Sequence, residues 1–183
     1  MDKTIIDTLY EENQVLDEYL IRHDEISLRS NFDSNFRKTL LLSIASYFEY
    51  LIKNHILEFA EEQARAAEPL IEFLKNKAIE RQYHTYFQWD ARNANAFFGL
   101  FGSGFKDFMR EEIAKDTELQ ASISAFVELG QVRNQLVHQN YATFPMDKTV
   151  QEIYDLYKKA LLFVDAFPKK LRVYLNNINS KID

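Results

Sequence analysis

Arg133, Asn134 and His138 fall within one short run, RNQLVH, and together they carry groups suited to a phosphodiester. An arginine offers a permanent positive fork for a phosphate and for the charge gained in its transition state. A histidine, with an ordinary pKa of about 6.5, can take a proton from a ribose 2′-OH or give one to a leaving 5′-oxygen. The asparagine amide can orient the imidazole or hold a phosphate oxygen. A single imidazole is not acid and base at once, so a two-fold dimer pairing two copies of the motif is the economical arrangement.

The element that positions these groups is a helix running from Asp116 or Thr117, its N-cap, to about residue 139. At about 100° per residue, Phe126, Leu129, Leu136 and Val137 all fall within about 60° of Arg133. The charge therefore sits inside the apolar arc, where a guanidinium is costly unless it is paired or faces a hydrated pocket. Gly130, Asn134 and His138, spaced four apart, make a second ridge along the edge of that arc. Gly130 removes side-chain bulk and lets another backbone or a ligand approach. Five residues turn a regular helix by about 140°, so Arg133 and His138 reach one groove only through the length of the arginine and a loosened helix end. A structural reading stands beside the chemical one. The arginine can pair with a carboxylate from another helix, Glu49 or Asp165, and the histidine can cap its own helix.

The rest of the chain reads as helices. It has 4 Gly and 3 Pro in 183 residues, too little punctuation for a hairpin-rich fold. Apolar spacing predicts a first helical segment over residues 3–29 and a second helix over 34–66, with SNFDSNF (30–36) supplying its N-cap. Pro69 opens a third helix, EPLIEFLKNKAIERQ. Residues 84–104 read as an aromatic-rich connector with a short helical piece near 94–100. A helix from Phe105 to Lys115 precedes the motif helix, and a long last helix follows it, with a kink expected at Pro168. The expectation is an all-α, single-domain bundle of about four long helices plus short accessory ones over residues 1–183.

Composition bounds the function. The formal net charge is −6, which argues against broad, nonspecific binding to nucleic acid; a nuclease of this charge needs a local basic site. There is no cysteine, which removes disulfides and thiolate metal sites and fits a cytoplasmic setting. LLLSIASYFEYLI is too short to span a membrane and is interrupted by Glu49. With no HxxxH spacing, neither a metal nor a cofactor is expected.

RNQLVH fits the R-(polar)-x3-H signature of the HEPN superfamily. Together with FRKTLLLSIASYFEYLI, FFGLFGSGFKDFMREEI and ISAFVELGQVRNQLVHQNYATF, it resembles the RiboL-PSP-like group over about residues 34–165, the first helix lying outside. The resemblance implies a four-helix HEPN bundle and a metal-independent endoribonuclease that cleaves RNA by 2′-OH attack, leaving a 2′,3′-cyclic phosphate. It implies a composite site at a homodimer interface, with Arg133 and His138 as the catalytic pair and Asn134 as polar helper. Such proteins commonly act as toxins or phage-defence effectors, some with an antitoxin or another defence-system protein as partner. In some, a tyrosine two positions after the histidine is nucleotide-modified. Here Asn140 holds that place and Tyr141 follows it, a departure that weighs against this control and leaves Tyr141 as an accessory candidate. The alternative from another class is a noncatalytic HEPN module that binds a protein or a nucleotide.

Among the remaining groups, His55 lies on an apolar helix face and reads as a neutral core histidine. Glu49, a second accessory candidate, is a resting partner for Arg133 or a solvated helix residue. The connector aromatics, Tyr83 and Trp89 among them, read as core packing or an interface, with base stacking as the alternative.

Overall fold

The structure is a computed structural model that describes residues 3–64 and 67–180. The chain is all-α, as expected, with no strand among the described residues. Helix α1 spans Ile5–Arg22 and α2 spans Ile26–Ala64. Helix α3 (Glu68–Leu74) runs into a π-helical turn, Lys75–Ile79. Short helices α4 (Tyr83–Tyr86) and α5 (Asn95–Gly99) flank a 3-10 turn at Trp89–Ala91. Then come α6 (Ser103–Lys115), α7 (Thr117–His138) and α8 (Val150–Asn179).

The first two helices differ from the sequence expectation. α1 stops at Arg22 because Asp24 turns the backbone to a φ of 57°, and α2 starts at once at Ile26. SNFDSNF is therefore not a cap but lies inside α2. Asn35 donates back to the Asn31 carbonyl at 2.9 Å, and Thr39 donates to the Asn35 carbonyl at 3.1 Å. Polar residues of this kind cost a helix only tenths of a kcal/mol each, and packing against α1 and α8 decides the outcome. The expected third helix breaks at its π turn and does not reach Gln82 as α-helix.

α2, α7 and α8 enclose the core. Leu40, Ile44, Phe48 and Ile52 repeat every four residues along α2 and are all but fully buried. Facing them are Phe126 and Leu129 from α7, and Tyr157, Phe163, Val164 and Phe167 from α8. α8 begins with a capping box between Thr149 and Glu152 and continues past Pro168. Most connector aromatics complete this core. Phe87 stacks on Phe97 at 4.6 Å, and Phe97 meets Phe167 at 4.8 Å. No described helix is long and apolar enough to cross a membrane.

Candidate active site

α7 is held at its start by Asp116, whose carboxylate accepts from the Glu118 and Leu119 amides at 3.0 and 2.9 Å. Its apolar arc is covered as far as Leu136, which is fully buried. On its other flank the cover ends, and Val137 is 44% exposed. Arg133 sits at that transition, half-buried. Its placement in an apolar arc thus has a geometric reason: the arc opens there into a cavity of about 610 Å³.

Arg133, Asn134 and His138 all line this cavity, so the two ridges read from the helix reach one space. Arg133 donates from Nη1 to the Asn134 Oδ1 at 3.1 Å. Among the described residues, no carboxylate forms an ion pair with Arg133, neither Glu49 nor Asp165. Of the guanidinium's five N–H donors, only that one is engaged among the described residues. His138 ends α7 and is exposed.

α2 supplies the opposite wall. Glu49 is half-buried and lines the cavity, so the side of α2 it occupies faces this hollow rather than open solvent. The buried Tyr83 hydroxyl feels the charges of both Glu49 and Arg133. Burial first, then the Glu49 charge, pushes its phenol far above the ordinary range, while Arg133 draws it part of the way back. Tyr83 is thus a neutral hydroxyl at any physiological pH.

The connector closes the remaining side with Arg81, Tyr83, His84 and Trp89. Trp89 packs directly on Gly130: a Cβ built there would fall 1.9 Å from the indole Cζ3. The close approach expected at Gly130 is therefore made by this chain's own tryptophan. Arg81 holds a left-handed backbone, φ 61°, which costs a non-glycine residue about 1 kcal/mol. Nothing in the sequence marks Arg81 as a site residue: it reads as the penultimate residue of the expected third helix, and no pattern ties that helix end to α7. Two arginines against one carboxylate make the cavity a positive spot on an acidic chain.

Tyr141 is not among the residues lining the cavity; it lies just beyond α7 and is 42% exposed. The buried Lys38 holds it there, donating to the Tyr141 carbonyl at 2.7 Å with its ammonium 5.2 Å from the Tyr141 ring centre. His55 lies apart from the cavity, with neither ring nitrogen hydrogen-bonded and Nδ1 3.6 Å from Glu58. Among the described residues, no group of three or more His, Asp or Glu is set to hold a metal ion.

A family model described as RiboL-PSP-HEPN matches residues 7–172. The match takes in α1 from Asp7 onward, as well as the stretch from 34 to 165 on which the resemblance was read. No curated protein and no solved structure matches the chain.

Proposed function

The chain belongs to the RiboL-PSP-HEPN family, and on that premise we propose that it is a metal-independent endoribonuclease working through Arg133, Asn134 and His138. The observation that carries this reading is that Arg133, without a carboxylate partner among the described residues, and His138 line one nucleotide-sized cavity. In the proposed reaction the 2′-oxygen attacks the adjacent phosphorus. The new O–P bond closes a 2′,3′-cyclic phosphate as the P–O5′ bond breaks. His138 carries a proton at one end of this exchange. Arg133 holds the non-bridging oxygens as their charge grows, and Asn134 steadies the guanidinium through its Oδ1.

The reaction needs a second proton carrier, and a homodimer in which two copies of α7 face each other supplies one. Exposed Val137, on the cavity wall, and exposed Tyr141, three residues after His138, favour such a contact. Within the proposal the protein is a cytoplasmic toxin or phage-defence effector, silenced by an antitoxin or another defence partner. The test is incubation with single-stranded RNA in EDTA, comparing wild type with His138→Ala and Arg133→Ala and identifying the ends produced. Each variant is expected to lose about a hundredfold or more in rate. Equal cleavage by all three proteins, or no cleavage by wild type, overturns the assignment.

A further inference from the structure

Three elements converge on the Tyr83 hydroxyl. Tyr83 opens the short α4 and lines the cavity of Arg133 and His138, and the charges of Glu49 on α2 and Arg133 on α7 both act on its phenol. The ring is held by other rings. Tyr86, Phe87 and Trp89 surround it with centres 5.9, 5.8 and 6.1 Å away and planes inclined by 68°, 62° and 52°. Two of these pack in turn on α7: the indole of Trp89 covers Gly130, and Phe87 lies 4.9 Å from Phe126. Gly130 stands one helical turn before Arg133 and Asn134, so the aromatic chain seats Tyr83 against the turn that carries the motif.

The hydroxyl has no hydrogen bond to another described residue. A buried phenol ordinarily finds a partner, and others in this chain do: Tyr86 donates to the Ala78 carbonyl at 2.6 Å, and Tyr154 to the Asp7 carboxylate at 2.7 Å. Nor is the oxygen sealed away. Among the described residues, the side-chain polar atoms both sealed and without a partner are the two His55 nitrogens, so the unpartnered Tyr83 oxygen stays open to the cavity. Burial and the Glu49 charge keep its proton in place, so it can donate a hydrogen bond without giving the proton up.

We propose that Tyr83 is a further catalytic residue of this site, its hydroxyl donating to a non-bridging oxygen of the phosphate that Arg133 holds. This inference rests on the endoribonuclease reading and leaves its composite arrangement, with one His138 from each copy, as it stands. No proton moves to or from Tyr83; the acid and the base remain the two imidazoles. Glu49 on the same cavity repels a phosphate, and a neutral O–H beside it offers the anion a donor there. Charge on the non-bridging oxygens grows as the O2′–P bond forms, so this hydrogen bond strengthens toward the transition state and acts on kcat more than on KM.

The experiment measures cleavage of a single-stranded RNA oligonucleotide in EDTA by wild type, Tyr83→Phe and Tyr86→Phe. The substrate is used unmodified and with a phosphorothioate, as each diastereomer, at a linkage that wild type cleaves. Tyr83→Phe keeps every ring contact, so its melting curve is expected to match wild type while kcat falls about tenfold to a hundredfold. Both limbs of the pH–rate profile stay, because the phenol does not titrate there. Tyr86→Phe loses its tie to the Ala78 carbonyl and is expected to melt at a lower temperature with wild-type kcat. Sulfur accepts hydrogen bonds poorly, so one diastereomer slows wild type and slows Tyr83→Phe less. A wild-type rate in Tyr83→Phe, or an equal sulfur effect in both proteins, overturns the inference and leaves the endoribonuclease reading standing. So does an equal loss of kcat in Tyr86→Phe, which would assign the loss to connector packing. A wild type that cleaves nothing removes the reading and the inference together.

Discussion

The indole of Trp89 covers Gly130 so closely that no other residue type fits beneath it: a methyl there would lie 1.9 Å from Cζ3 and 2.1 Å from Cε3. In an exposed helix, Gly→Ala is worth about 1 kcal/mol in favour of alanine. Here the sign reverses, because the ring must move and the contact between α7 and the connector opens. Gly130→Ala is expected to cost about 1–3 kcal/mol in urea unfolding. Trp89 is the only tryptophan in the chain, so its emission reports the displacement directly. An unchanged spectrum with raised stability would show that the ring does not hold the two walls together.

Arg133 gives a prediction in which stability and activity move in opposite directions. It is half-buried on an apolar arc, and its recorded hydrogen bond within the chain is the one to its neighbour Asn134. A cation so placed costs desolvation that this one hydrogen bond offsets only in part, and no carboxylate among the described residues pairs with it. Arg133→Leu continues the arc formed by Leu129 and Leu136, and is expected to raise stability by about 1 kcal/mol while abolishing RNA cleavage. Chemical denaturation decides between the two roles of this residue. A variant less stable than wild type by more than about 1 kcal/mol marks Arg133 as a structural pair member with an unseen partner.

Much of this site is legible in the sequence, and the rest is not, for a physical reason. The helix from Thr117 to His138 declares itself through its Asp116 cap and a strong apolar phase, and that phase is what makes Arg133 stand out. Glu49 is legible as a residue of α2 but not as a wall of the cavity, because helical phase says where a side chain points and not what lies opposite. His84 and Trp89 occupy a stretch with no period, and Arg81 reads as the end of a helix that in fact breaks before it. Their nearness to α7 depends on a glycine–tryptophan contact some forty residues apart in sequence (positions 89 and 130), which no local pattern encodes. The start of α2 fails differently. Ser30, Asn31, Asp33 and Ser34 read as a helix start by local preference, and packing against α1 and α8 overrides that preference.

Asp7 predicts an acid-dependent tie between α1 and α8. Its Oδ2 accepts from the Thr4 amide at 2.8 Å and the Thr4 hydroxyl at 3.0 Å. Its Oδ1 accepts from the Tyr154 hydroxyl at 2.7 Å and the Lys158 ammonium at 3.1 Å. Burial alone would raise its pKa, but these donors outweigh burial and lower it from 3.8 to about 2. A carboxylate depressed on folding stabilises the protein above its unfolded pKa, and that stability drains away as pH falls through the folded value. Asp7→Asn is therefore expected to cost about 2 kcal/mol near neutrality, with the deficit shrinking from pH 4 down to about 2. Paired denaturation curves of the two proteins across that range check it. A deficit that stays constant with pH would assign the loss to geometry rather than charge.

Lys38 controls the segment that follows His138. It is 4% exposed, yet it faces no carboxylate within ion-pairing distance among the described residues; its ammonium is held by backbone carbonyls of Tyr141 and Ala142, at 2.7 and 3.4 Å. A helix C-terminus leaves carbonyls unsatisfied, and a buried ammonium just beyond it gathers two from the chain that departs. α2 thereby fixes the path of the chain three residues after the imidazole, and with it the end of α7. Lys38→Met keeps the aliphatic stem and removes the donor. It is expected to lower stability by about 1–3 kcal/mol, since both carbonyls lose a charged partner. Amide exchange at residues 139–144 should accelerate far more than exchange in the middle of α7. RNA cleavage should fall through a weaker hold on His138, with the same cyclic-phosphate ends. Exchange that rises uniformly along α7, rather than at its end, would show that Lys38 serves the bundle as a whole and not the position of His138.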